Sequence, residues 1–188
     1  MYHSVLADAT TYLLLERIDQ DIADERRGVG CGCGGRLHQA NYARKPRGIP
    51  VGGEEAVGIR FSFCCAEDGC RRRTTPESVR FLGRHVYVGA VVIAVTTMRH
   101  GPTPTRLKRL RELFGVDPRT VRRWREYWQT QVPTTKWWAA TKGRFMPSLV
   151  VDSLPHGLVE RMTGSPRERL ISALRLLCPL STISDGRH

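Results

Sequence analysis

The chain has 188 residues, enough for one medium domain or two to three small ones, and a formal net charge of +12. Its most apolar window, residues 86–95, falls short of the roughly 18–20 apolar residues a membrane span needs. The N-terminal apolar run is cut by Glu16 and has no basic segment before it. Neither a spanning helix nor a secretory leader is therefore expected, and a cytoplasmic location is. Charge is unevenly spread: residues 71–125 hold fourteen Lys and Arg against three Asp and Glu, +11 of the +12, whereas residues 1–27 hold three basic and six acidic groups. Such a concentration is the footprint expected of a nucleic-acid binder, the plainer reading being a solvated basic surface.

Residues 1–27 are expected to supply an N-terminal helix. Over 9–27, Thr10 or Thr11 can cap, and Tyr12, Leu15, Ile18 and Ile22 recur near helical spacing; the Arg, Asp and Glu face reads as solvated. Residues 28–77 read as a small β zinc ribbon. Cys31 and Cys33 stand in GCGCGGRLH, Cys65 and Cys70 in FSFCCAEDGCRRRTTP, with 31 residues between Cys33 and Cys65. Two clusters so separated can each close a tight turn and together offer four thiolates to one tetrahedral Zn²⁺, a closed and hence structural site. Gly30, Gly32, Gly34 and Gly35 suit the first turn. A reducing cytosol favours metal over the competing readings, disulfides and merely buried thiols. The spacing is one residue tighter than Cys-x₂-Cys in the first pair and wider in the second. Cys64 and His38 stay as spare ligands, and Cys178, in LISALRLLC, reads as a core position.

Within this unit, Ile59, Phe61 and Phe63 alternate with Arg60 and Ser62, which predicts a strand over 58–65. Residues 41–55 lack periodicity and read as a loop. Arg44, Lys45 and Arg47 around Pro46 form a basic stretch with no acid before Glu54, able to track a phosphate backbone or enter a minor groove, or simply to be solvated. Arg71, Arg72 and Arg73, directly after the last cysteine, are further candidate phosphate contacts.

The strongest signal is TPTRLKRLRELFGVDPRTVRRWREYW, residues 103–128, inside a 78–129 unit read as a three-helix helix-turn-helix domain. Leu107, Leu110, Leu113 and Phe114 lay out one apolar face, Gly115 ends that helix, and Val116 is the buried turn residue. Asp117 is a good cap with Pro118 first in the next helix. There Val121, Trp124 and Trp128 share a face, which turns Arg119, Arg122 and Arg123, with Thr120, toward the candidate DNA contacts. The competing reading is an ordinary helical hairpin with a basic surface. A helix over 81–98 would complete the core, although its β-branched residues also suit a buried strand.

Residues 130–188 are read as an irregular linker, 130–150, followed by a tail with helices near 155–163 and 165–178. No enzyme is expected. Asp152, Glu160 and Glu168 lack an α/β scaffold on which to hold two divalent ions, there is no P-loop, and His85, Tyr87, Arg99 and His100 are too few for a recombinase-type site.

Taken together, CGCGGRLHQANYARKPRG, FSFCCAEDGCRRRTTPESVRFLGR and LRELFGVDPRTVRRWREYW resemble small zinc-ribbon plus helix-turn-helix proteins of bacterial genomes that are described as transposase-like or insertion-sequence-associated. The Cys65-x₄-Cys70 half also resembles zinc ribbons of bacterial topoisomerases. The resemblance implies DNA recognition within a mobile element, with Cys31, Cys33, Cys65 and Cys70 as the metal positions. The expectation is thus a mainly α, nucleoid-associated protein with structural Zn²⁺ that binds double-stranded DNA as a transposition accessory or element repressor. An independent transcription regulator and a non-catalytic partner or remnant of a transposase are the alternatives. In the last case Trp137, Trp138, Leu170, Leu174 and Leu177 would dock the catalytic subunit. A homodimer is a further candidate assembly.

Overall fold

The computed structural model describes residues 2–82, 87–96 and 103–182. The chain is mostly helical with a small antiparallel sheet. A short helix α1 (His3–Ala7) leads into α2 (Ala9–Val29). The cap of α2 is Asp8 rather than Thr10 or Thr11: its carboxylate accepts from the Thr10 N–H at 2.9 Å, so the helix starts at Ala9, earlier in the chain than either threonine allows. Tyr12, Leu15, Ile18, Asp19 and Ala23 line its buried face. Asp19 corrects the expectation of a solvated acidic face. Four residues from both Leu15 and Ala23, it shares their stripe, and its charge is met inside the protein.

The ribbon follows. Strands β1 (Leu37–Gln39), β4 (Phe63–Cys65) and β5 (Arg73–Thr74) form a three-stranded sheet in the order β1-β4-β5. Strands β2 (Tyr42–Ala43) and β3 (Ile59–Arg60) make a separate antiparallel pair. The single strand expected over 58–65 is therefore two. Between them the Ser62 N–H turns to the Asn41 side-chain oxygen, and the chain changes sheets. Alternation fails at this step. Ile59 is exposed while Arg60, at 3% exposure, lies inside with its guanidinium donating to the Pro76 carbonyl.

Residues 78–82 are not helical. Phe81 forms an antiparallel bridge with Val88, so the helix expected over 81–98 is the shorter α3 (Gly89–Thr96); residues 97–98, with His85, Arg99 and His100, lie outside the described residues. Every α3 residue but Ala94 is buried, as befits a helix apolar all round at the centre of the molecule. Gly89 permits a close approach, since a Cβ there would sit 3.2 Å from a Leu174 methyl. Next come α4 (Pro104–Phe114), Gly115 in the left-handed region (φ 61°), and α5 (Pro118–Glu126), which continues through a π turn, Tyr127–Gln131.

The linker expected over 130–150 contains α6 (Lys136–Thr141), capped by Thr135. The tail supplies α7 (His156–Glu160) and α8 (Pro166–Leu177), the latter opened by a reciprocal cap between Ser165 and Glu168. The Trp137 indole donates to the Leu176 carbonyl at 2.6 Å. Trp137, Trp138, Leu170, Leu174 and Leu177 belong to the same core as Val121, Trp124 and Trp128. These side chains are committed to this chain's own interior, so the expectation that they dock a catalytic subunit is corrected. A second, small core of Ala23, Cys31, Leu37, Phe61, Phe63 and Cys65 lies in the ribbon, and α2 reaches both cores. No helix among the described residues is long and apolar enough to cross a membrane.

Candidate metal centre and basic surface

Two tight turns bring four sulfurs together. In the first, the Cys31 N–H donates to the Gly35 carbonyl and the Gly34 N–H returns to the Cys31 carbonyl, both at 2.9 Å, with Gly34 at φ 87°. In the second, the N–H groups of Cys70 and Arg71 converge on the Glu67 carbonyl, and Arg71 takes φ 44°, a left-handed residue that closes the knuckle. The Sγ atoms of Cys31, Cys33, Cys65 and Cys70 all lie within 4.8 Å of one another. Cys33 and Cys65 stand 3.5 Å apart, Cys31 and Cys70 3.7 Å. A tetrahedron with metal–sulfur bonds of about 2.3 Å has edges near 3.8 Å, whereas a disulfide needs about 2.05 Å. The thiols are free, and their separations fit ligands of one ion.

The spare ligands fall away by strand alternation. His38 faces Cys64 across the β1–β4 pair, one residue out of phase with the Leu37–Cys65 pair. Cys64 lies on the far side of β4 from the cluster, its thiol 3.4 Å from the Arg71 carbonyl. Cys178 is half-buried at the end of α8 and bonded to Glu77, and burial pushes its thiol up to about 12, with Glu77 adding to the shift.

The electrostatic settings of the four thiols differ. Cys31 is drawn down to about 7, first by the Cys33 backbone N–H and then by its thiol. Cys65, although the Glu67 N–H pulls it down, is pushed up to about 12 by burial and the neighbouring thiols. Like charges packed this closely oppose one another, and a bound cation would offset that repulsion.

Gly35 makes room for the arrangement. A Cβ at this position would sit 2.8 Å from the Cys65 sulfur, 3.3 Å from the Cys33 sulfur and 2.5 Å from Glu67 Cγ. Gly35→Ala should therefore weaken metal binding by roughly 10–100-fold, the range seen when support for ligands is lost. Gly32→Ala, where a Cβ meets nothing within 4 Å, should leave affinity intact. Competition against a chromophoric chelator measures both, and equal affinities for the two variants would contradict the packing argument.

The basic residues occupy distinct settings. Arg71 pairs with Asp68 in the knuckle, and Arg73 lies over the Tyr42 ring with a contact to the Ala40 carbonyl; Arg72 is exposed. The Arg44 guanidinium lies 5.3 Å from the Phe81 ring centroid, while Lys45 and Arg47 are exposed. On α5, Arg119, Arg122 and Arg123 are exposed and Thr120, Val121 and Trp124 buried. Thr120 lies beside Arg123, one turn away: it is buried, and its hydroxyl accepts from the Arg123 guanidinium at 3.3 Å. Neither Arg119 nor Arg122 pairs with an acidic group among the described residues. The start of α5 is fixed by Asp117, whose carboxylate accepts from the Arg119 N–H at 2.8 Å. Its body is fixed by Trp124, edge-on to Tyr87 at 5.0 Å, and by the Trp128 indole, which donates to the Thr96 hydroxyl at 3.0 Å. On α4, Leu107, Leu110 and Phe114 pack half-buried on the core, but Leu113 is 43% exposed, outside the apolar face expected for it.

The acidic tail residues do not converge. Glu168 caps α8, Glu160 pairs with His156, and Asp152 lies in a 3₁₀ turn.

A cluster that sequence reasoning missed sits between ribbon and helices. Asp19 and Arg80, both fully buried, pair at 2.8 Å. Asp19 also accepts from the Val79 N–H at 2.7 Å and from the Ser78 hydroxyl, and Arg80 donates to the Ala56 carbonyl. The guanidinium lies 4.8 Å from the Phe61 ring centroid. The helical phase of Asp19 was the available signal; nothing local marked Arg80. No protein-family model, curated protein or solved structure matches the chain.

Proposed function

We propose that this chain is a DNA-binding protein in which Cys31, Cys33, Cys65 and Cys70 hold one structural Zn²⁺, and α3, α4 and α5 form a helix-turn-helix with α5 as the reading helix. The observation that carries this reading is the two-sided character of α5. Val121, Trp124 and Trp128 are buried, and Arg119 and Arg122, with no acidic partner among the described residues, stand exposed near a capped helix start. The first turns of such a helix are the ones that approach base edges. The three residues Gly115, Val116 and Asp117 between α4 and α5 suit the short turn of the motif. A tetrathiolate with no open position supplies no catalytic metal, so zinc here serves folding. The job of the protein is recognition of a mobile element's ends or operator, as accessory or repressor; a neighbouring transposase gene flanked by inverted repeats separates this from independent regulation.

Selection from a random duplex pool, followed by binding at several salt concentrations, tests the reading. Arg119→Ala or Arg122→Ala should cost about 1–3 kcal/mol on the selected site and relax one base position if that arginine reads a base edge. A phosphate-contacting arginine should instead weaken all sequences alike and lower the salt slope by about 0.9. Variants that bind selected and random DNA like the parent protein would leave an ordinary basic hairpin.

A further inference from the structure

The loop between β2 and β3 does not stand apart from the helices. Gly48, at φ 77°, is wedged against them: a Cβ there would lie 3.1 Å from the Tyr87 ring, 3.4 Å from a Val91 methyl and 3.5 Å from the Phe114 carbonyl. Arg47 forms a parallel bridge with Tyr87, and the Tyr87 hydroxyl donates to the Gly115 carbonyl at 2.9 Å. One tyrosine thus braces the loop on one side and the α4–α5 turn on the other. Behind the loop, the Arg44 N–H is bonded to the Gly58 carbonyl at 2.8 Å and its side chain lies over Phe81. That leaves Lys45 and Arg47, both exposed and neither paired with an acidic group among the described residues.

We infer that Lys45 and Arg47 form a phosphate clamp continuous with the start of α5, so that loop and helix engage one DNA duplex together. The inference rests on α5 being the reading helix. A helix in the major groove is flanked by the phosphate backbones that wall a groove about 12 Å wide. An element braced against the turn that precedes the helix is placed to meet such a wall. The clamp recognises backbone charge and no base, because Lys and Arg on a loop outside the groove meet phosphate oxygens only.

The test uses the full-length, metal-loaded protein and the duplex selected above, alongside a random duplex of equal length. Lys45→Ala/Arg47→Ala should reduce the salt slope by about 1.8, two contacts at about 0.9 each, and lower affinity for both duplexes by the same factor. Metal content and the unfolding midpoint should not change, since both side chains are exposed. Gly48→Val, which forces the loop off Tyr87, should reproduce the loss of affinity with both cations still present. A double variant with the parent's slope and affinity, in a background where Arg119→Ala or Arg122→Ala does impair binding, overturns the clamp and leaves the reading helix standing. Relaxed preference at a single base position would overturn it too, by making the loop a base reader. No binding of any duplex by the parent protein would instead remove the reading on which the clamp depends.

Discussion

Replacing Cys65 with serine, or stripping the metal with a strong chelator, is expected to abolish metal binding and unfold the ribbon. The reason is how little else holds it. Its strands are two or three residues long, and among the described residues its core contains Ala23, Leu37, Phe61 and Phe63 besides Cys31 and Cys65, with Cys70 packed against them. So small a unit cannot bury enough apolar surface to offset the entropy of ordering its turns, and metal affinity becomes folding free energy. In isolated zinc-finger peptides that amounts to about 10–16 kcal/mol, an upper bound here because α2 also supports the sheet. Metal analysis should find one equivalent in the parent protein and none in Cys65→Ser. Cys64→Ser and Cys178→Ser should keep it, the first thiol lying on the far side of β4 and the second just past the end of α8. Loss of metal in Cys64→Ser would reassign the ligand, and metal-free protein of undiminished stability would end the proposal of a structural ion.

The second large effect is expected at Asp19. Asp19→Ala leaves the Arg80 guanidinium buried without its counter-charge and strips acceptors from the Ser78 hydroxyl and the Val79 N–H. Breaking one side of a buried pair costs about 3–5 kcal/mol, a large share of the 5–15 kcal/mol that typically separates folded from unfolded chains. The damage should spread, because residues 78–80 carry the chain from the ribbon to the helical core and α2 touches both. Removing the pair together, as Asp19→Leu/Arg80→Met, should cost much less than Asp19→Ala alone, since no unpaired charge remains. Denaturant midpoints for the three proteins decide this. An Asp19→Ala protein within about 1 kcal/mol of the parent would show that the pair does not hold the joint.

Local chemistry made much of this legible in advance. Asp117 followed by Pro118 fixes where α5 begins, Gly115 fixes where α4 stops, and Val121, Trp124 and Trp128 fix which side faces inward. Each depends on residues within a few positions of one another, where capping and periodicity act. The expected strand at 58–65 is two strands in the structure, although its polar and apolar residues alternate as a single strand's would. Its break is enforced from a distance, by Asn41 capturing the Ser62 N–H, and that lets Arg60 turn inward to a carbonyl sixteen residues away. The helix expected at 81–98 starts later for the same kind of reason: Asp19, sixty residues away in sequence, anchors residues 78–80 in a bend, and Phe81 then pairs with Val88.

By itself, then, the sequence determined a mostly helical chain with four candidate thiolates, a capped arginine-bearing helix and a charge gathered on one third of its length. Spacing and composition suffice for these, being properties of short segments. Only the tertiary structure decided that Cys65 and not Cys64 joins the cluster, since a strand sends neighbouring side chains to opposite faces and the β1–β4 register selects between them. Only it decided that the tail's tryptophans and leucines are spent on the common core, that Thr120 is buried with its hydroxyl bonded to Arg123, and that Tyr87 joins the basic loop to the α4–α5 turn. Those outcomes depend on which distant surfaces meet, and contacts between segments tens of residues apart leave no periodic trace in either segment alone.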